Sequence, residues 1–107
     1  DIHDTQGGTT IEGIHTGVMA GTLDVIVRRF AGIEFLDGKV NIHPSLPEHW
    51  TELRLKLKQR RVWYSFVIER DKVRVAAEGR SKKPVRLITP GKILDLPLGQ
   101  EVEVALD

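Results

Sequence analysis

The residues with the most chemistry in this chain sit close together near its start, in "QGGTTIEGIH", Gln6 to His15. Two glycines and two threonines lead into a carboxylate and an imidazole. Glycines ahead of a capped helix can fold into a backbone nest whose free N–H groups hold an anion such as phosphate. His15 is placed to add a cationic donor to the same anion. No lysine follows as in a Walker loop, which argues against a nucleotide. The same residues also serve as an ordinary linker and helix cap, and taken alone they favour that use. Glu12 is absorbed by the cap. His3, His43 and His49 have no ligand-like spacing to His15, and the chain has no cysteine, so no metal site and no thiol nucleophile is expected.

A second candidate is the basic stretch "RLKLKQRRVWYSFVIERDKVRV". Basic strands bearing Trp63 and Tyr64 could bind nucleic acid or sugar. The charges, however, occupy the outward half of each alternation, which describes a solvated sheet face better than a nucleic-acid site. Trp63 points opposite to Val62 and Tyr64 and serves either as a sugar platform or as packing beneath another domain.

The elements that must carry these residues are one helix and then strands. Thr9-Thr10-Ile11-Glu12 reads as a capping box. Arg28 and Arg29 suit a last helical turn, with Gly32 at the left-handed position beyond it. The pattern predicts a helix over 10–31. Gly13, Gly17 and Gly21 recur every four residues along it, and each costs roughly 1 kcal/mol relative to alanine. Such a stripe implies close approach of another backbone. A membrane-dimer reading fails because His15, Asp24, Arg28 and Arg29 interrupt the segment. After Gly32 the period becomes two. "IEFLDGKVNI" reads as a hairpin turning at Asp37-Gly38. "LRLKLK" alternates with Leu53, Leu55 and Leu57 inward. "VWYSFVIE", "KVRVAAE", "PVRLIT", "KILDL" and "EVEVAL" complete about eight short antiparallel strands, the pattern of a β-sandwich. "HPSLPEHW" lacks a period and reads as a loop stiffened by Pro44 and Pro47. The fold class is mainly β.

The 107 residues suffice for one small domain, and 40% hydrophobic with 29% charged content is ordinary for a globular protein. The net charge of +1 conceals −4 over residues 1–50, +8 over 51–86 and −3 over 87–107. No apolar run is long enough to span a bilayer, and no signal peptide is visible. Absence of cysteine fits a reducing compartment, so a cytoplasmic location is expected. The first residue is Asp1, so the chain is expected to be processed or a piece of something longer.

The segment "DTQGGTTIEGIHTGVMAGTLDVIVRRFAGIEF" resembles the junction region of the maltose, kojibiose and trehalose phosphorylases of glycoside hydrolase family sixty-five. Its Gly-Ile-His, Met-Ala-Gly-Thr and closing Gly-Ile-Glu elements come in family order. The remainder resembles the family's C-terminal β-domain, and the "GGTT…EGIH" form is closer to trehalose-acting members. The resemblance implies two parts. Residues 1–32 would be the junction loop and last helix of an absent (α/α)6 catalytic barrel, and residues 33–107 the C-terminal β-sandwich. It places a phosphate contact on His15, with Thr9, Thr10 and Gly8 along the same edge. It puts the catalytic glutamate upstream, so no residue of this chain is assigned as catalytic. The implied protein is an inverting phosphorylase or hydrolase of an α-linked glucose disaccharide, with trehalose favoured. Inorganic phosphate is the one co-substrate implied, and no cofactor is. The implied partners are the upstream barrel and the disaccharide, with no nucleic acid or membrane and scope for a homo-oligomer. The other reading is a non-catalytic β-sandwich with a structural or carbohydrate-binding role.

Overall fold

Strict alternation of side chains fixes which face of each strand turns inward. Leu53, Leu55 and Leu57 are buried while Arg54 and Lys56 between them are exposed. A computed structural model of the chain describes residues 8–15, 26–36, 38–48 and 50–106. Among them are nine strands: β1 (Gly8–His15), β2 (Ile33–Leu36), β3 (Lys39–Ile42), β4 (Glu52–Gln59), β5 (Val62–Glu69), β6 (Lys72–Gly79), β7 (Arg86–Thr89), β8 (Lys92–Asp95) and β9 (Glu101–Ala105). They form two sheets, ordered β1-β4-β5-β6-β9 and β2-β3-β7-β8.

Buried residues from both sheets form one core. Leu53, Leu57, Phe66, Ile68, Val73 and Val75 come from the larger sheet and Val40, Ile42 and Leu87 from the smaller. This is the mainly β sandwich that the strand spacing predicts. Burying one large apolar side chain contributes roughly 1.5–3 kcal/mol, so the paired inner faces dominate stability. Two-residue connections set the hairpin registers. Leu36 pairs with Lys39, Gln59 with Val62 and Thr89 with Lys92. Gly38 and Gly91 take φ of 69° and 77° within two of these connections.

Two pairings depart from the antiparallel expectation. β1 runs parallel to β4, and β3 runs parallel to β7. β3 and β7 are joined by a path through three strands of the other sheet, so they meet side by side without a tight turn between them.

The helix expected over 10–31 is not what forms at its start. Gly8–His15 is extended, with Thr9, Thr10 and Ile11 in register with Leu53, Arg54 and Leu55. The capping box therefore caps nothing. Thr9, Thr10, Ile11 and Ile14 are β-branched and suit a strand. The edge of β4 offers unpaired backbone groups that a strand satisfies. Gly13 falls where the register shifts between Ile11 and Ile14, a usual place for a strand glycine. Residues 16–25, with Gly17 and Gly21 of the expected stripe, lie outside the described residues. The end of the segment is helical, though in the wider π form, over Ile26–Ala31.

That π turn is docked by its buried Val27 and Ala31. Phe30 meets Trp50 edge-on, ring centroids 5.4 Å apart. The segment after β3 crosses between the sheets without strand structure among its described residues, as its prolines suggest. Its path is tied down by the Arg70 guanidinium, which donates to the carbonyl oxygens of Pro47 and Glu48.

Gly32 follows the π turn at φ 64°, and a Cβ there would lie 2.0 Å from the His43 carbonyl oxygen. Gly91 has φ 77° with nothing within 4 Å of such an atom. Gly91→Ala is expected to cost about 1–3 kcal/mol from backbone strain alone. Gly32→Ala should cost more, because two backbone segments must also separate. Equal losses in chemical denaturation would show that the contact at Gly32 relaxes freely.

Candidate functional site

Gly8, Thr9, Thr10 and His15 share one strand, which lies along β4. Gly8 is level with Glu52, Thr9 with Leu53, Thr10 with Arg54 and His15 with Lys58. Sequence reasoning placed these residues at the positive end of a helix. The extended backbone removes that helix end, and with it the dipole and nest argument for an anion. What the register provides in its place is a line of cations. Arg54, Lys56 and Lys58 alternate along the outward face of β4. The Arg54 guanidinium donates to the Glu52 carboxylate, and that hydrogen bond together with the Glu52 charge raises the Arg54 pKa.

Trp63, on β5, lies level with Lys58. The Nζ atoms of Lys56 and Lys58 stand 5.6 and 5.7 Å from its ring centroid. Each such contact contributes about 0.5–1 kcal/mol at an exposed site. The indole is half-buried and already has a lysine pair over it. Tyr64, the other half of the sugar-platform idea, faces the opposite way into the core. Its ring centroid lies 5.0 Å from that of Phe35 and 6.3 Å from that of Phe66. A period of two sends adjacent residues to opposite faces, so Trp63 and Tyr64 do not form one platform.

Across the same outer face the charges change partners. Lys72 lies 3.9 Å from both Glu69 and Glu103, and Arg74 lies 3.9 Å from Glu69. Cations on β6 are thus matched by carboxylates on β5 and β9. The outward placement is that of a solvated sheet face.

Sequence reasoning did not single out a polar cleft between the π turn and the β2–β3 hairpin. Arg28, Arg29, Glu34, Asn41, His43 and Ser45 line it. No simple periodicity links these residues, and Arg28 and Arg29 had been read as helix-end charges. Among the described residues, no group of three or more His, Asp or Glu side chains could hold a metal ion, and no helix is long and apolar enough to cross a membrane.

Residues 33–96 match the family described as "Glycosyl hydrolase family 65, C-terminal domain". A trehalose 6-phosphate phosphorylase of Lactococcus lactis subsp. lactis is 42% identical over 77 residues, covering 72% of this chain and 10% of that enzyme. A kojibiose phosphorylase of Caldanaerobacter subterraneus subsp. tengcongensis is 38% identical over 87 residues, covering 80% of this chain and 10% of that enzyme. An uncharacterized glycosyl hydrolase of Mycobacterium tuberculosis is 35% identical over 104 residues, 97% of this chain and 8% of that protein. The solved structure of a putative kojibiose phosphorylase from human microbiome superposes with a TM-score of 0.62 at 18% identity, over 76% of this chain and 10% of that one. At that identity the likeness concerns the fold. The chain spans about a tenth of the length of these curated relatives.

Burial raises the pKa of the Tyr64 phenol. The folded state therefore holds its proton more tightly than the unfolded state. Stability from this source is complete below about pH 10, the unfolded value, and is lost as pH rises through the folded value. Wild type should lose stability more steeply than Tyr64→Phe as pH rises above about 10. As the chain has a single tyrosine, phenolate absorbance reports the ionisation directly. Parallel pH profiles for the two proteins would refute the burial effect.

Proposed function

This chain belongs to glycosyl hydrolase family 65, and from that premise we propose that it is the C-terminal portion of an inverting glycoside phosphorylase. The substrate class is an α-linked glucose disaccharide, with trehalose the favoured member. The observation carrying this reading is that relatives aligned over 72% and 80% of the chain are named as a trehalose 6-phosphate and a kojibiose phosphorylase. The aligned region is about a tenth of each, so the chemistry is assigned to the remainder of a longer protein. In this reading residues 33–107 are the β-domain, residues 1–32 belong to the junction with a catalytic barrel, and the whole acts in the cytoplasm. The chain supplies no catalytic residue of its own.

Phosphorolysis needs one general acid and a bound phosphate, where hydrolysis needs an acid and a base-activated water. Attack by phosphate with inversion at an α-glucoside forms the new C–O bond on the opposite face. The product is β-glucose 1-phosphate, and the leaving oxygen takes the proton of the acid. The purified 107-residue chain is expected to show no turnover of trehalose, trehalose 6-phosphate or kojibiose, with or without phosphate. The longer protein is expected to consume phosphate and release β-glucose 1-phosphate. Disaccharide cleavage by the longer protein at an equal rate without phosphate would make it a hydrolase. Turnover by the chain alone would place the active site within it.

His15, Thr9, Thr10 and Gly8 are the phosphate-contacting candidates. Their support is the family-like "GGTT…EGIH" motif, joined by the register of His15 beside Lys58 and of Thr10 beside Arg54. A charge-assisted hydrogen bond contributes roughly 1.5–3 kcal/mol. In the longer protein, His15→Ala is therefore expected to raise the KM for phosphate about tenfold or more, at roughly 1.4 kcal/mol per decade. Sugar binding should change less. Initial rates against phosphate at saturating disaccharide test this. An unchanged phosphate dependence with a lowered melting temperature would make His15 a packing residue.

A further inference from the structure

Cations on the outer face of the larger sheet are matched within the molecule. Arg54 pairs with Glu52, Lys72 with Glu69 and Glu103, and Arg74 with Glu69. Lys56 and Lys58 stand over Trp63. One end of the sandwich is different. Arg60 and Arg61 lie in the β4–β5 turn, and Arg80 and Lys82 in the loop after β6. All four are exposed, and among the described residues none of the four forms an ion pair. Neither "QRRV" nor "GRSKKP" contains a carboxylate. Lys83 of the same loop is already engaged and is not counted with them.

Backbone contacts hold turn and loop together. Val62 pairs with Gly79, which sets the turn beside the end of β6. The Arg80 N–H donates to the Arg61 carbonyl oxygen at 3.1 Å. Gly79 has φ 137°, and a Cβ there would lie 2.1 Å from that same oxygen, so glycine is what permits the approach. The Ser81 hydroxyl donates to the Lys83 carbonyl oxygen at 2.7 Å and orders the loop. A frame fixed before binding costs less to order on meeting a partner.

The turn also holds a residue placed against local preference. Arg60 has φ 59°. A positive φ at the first central residue of a two-residue hairpin turn ordinarily calls for glycine, asparagine or aspartate. Arginine strains the backbone there without improving the turn. Strain kept in this way marks the side chain as used.

Charge and shape specify the partner. Guanidinium forks match the oxygens of carboxylates and phosphates. The four cations stand on two adjoining tips and are flanked by acids. Glu78 is exposed near the end of β6, and Glu101 and Glu103 are exposed on β9 beside it. A stiff duplex or a bilayer resting on the tips would bring its phosphates against these carboxylates, whereas a flexible acidic chain can fold onto the tips alone. A single-stranded nucleic acid is bound by stacking on aromatic faces, but Trp63 stands under two lysines and Tyr64 is buried. The exposed large apolar side chains, Leu36, Ile93 and Leu98, belong to neither tip, so neither offers a group to insert into a membrane.

We propose that the β4–β5 turn and the β6–β7 loop form a docking surface for a carboxylate-rich polypeptide segment, held by Arg60, Arg61, Arg80 and Lys82. This surface is separate from phosphorolysis and does not depend on the functional reading above.

The test is titration of the fluorescently labelled 107-residue chain at low ionic strength with poly-glutamate, duplex DNA and phosphatidylserine vesicles as separate probes. Poly-glutamate should bind saturably, more tightly than the other two, and should be released as salt is raised. Arg80→Ala and Arg60→Gly should each weaken poly-glutamate about tenfold or more, the scale of one charge-assisted hydrogen bond. Arg60→Gly should also keep or raise the melting temperature, since glycine relieves the positive φ. A residue serving only the turn could not combine those two effects. Lys92→Ala removes an equal charge at the opposite end of β7 from this loop and should leave binding unchanged. Should Arg80→Ala lower the melting temperature, Arg80→Lys keeps the charge without the fork, and weakened binding by a folded Arg80→Lys supports the surface. Absence of saturable poly-glutamate binding, tighter binding of DNA or vesicles, an equal loss from Lys92→Ala, or indifference to the Arg60 and Arg80 substitutions would overturn the proposal.

Discussion

The mutual burial of two sheet faces governs the rest of this molecule. Leu53, Leu57, Phe66, Ile68, Val73 and Val75 on one side and Val40, Ile42 and Leu87 on the other are almost wholly removed from water. A strand slipped by one residue would turn its buried set outward, so burial locks the register of the strands that carry these residues. With the phase locked, each outward residue has its direction imposed on it. Arg54 and Lys56 face solvent because Leu53, Leu55 and Leu57 cannot. Trp63 lies outside because Val62 and Tyr64 lie inside.

The basic middle of the sequence is a consequence of the same constraint. Arg54, Lys56 and Lys58 on β4 and Lys72 and Arg74 on β6 lie on the outer face of the larger sheet, and their partners differ from strand to strand. Lys72 and Arg74 stand beside carboxylates from β5 and β9, while Lys56 and Lys58 stand over an indole. A surface of this kind costs little to solvate and contributes modestly to stability, since exposed ion pairs typically add about 0–1 kcal/mol. Membership of glycosyl hydrolase family 65 puts this sandwich in the company of longer proteins, about a tenth of which aligns with it. Outside the packed and solvated faces of the two sheets, the described residues form edges and loops.

Those edges and loops are where sequence and structure part. The segment Gly8–His15 carries two sets of signals at once. Its capping residues and glycine spacing suit a helix, and its β-branched residues suit a strand. Neither set is decisive locally, because propensities differ by only about 1 kcal/mol per residue. The edge of β4, 43 or 44 residues away in sequence, decides between them by pairing with β1 on both sides of the register shift between Ile11 and Ile14. The parallel pairing of β3 with β7 is likewise a property of two distant strands and leaves no mark in either one. The cleft joins residues of the π turn to residues of a hairpin and a loop, and no spacing announces that meeting.

What the sequence determined by itself was everything set by neighbours along the chain. The alternation in "LRLKLK" and "VWYSFVIE", the hairpin of β2 and β3 and the mainly β class were all legible, because side-chain direction in a strand depends on parity alone. The family-like order of the junction motifs was legible for the same reason, being a matter of residue order. The tertiary structure decided what depends on partners distant in sequence: the strand at Gly8–His15, the two parallel pairings, and the gathering of Arg28, Arg29, Glu34, Asn41 and His43 around one cleft. Free energy on the scale of a few kcal/mol, supplied by edge pairing and by backbone bonds such as that from His43 to Gly32, outweighs the local preferences that a sequence displays.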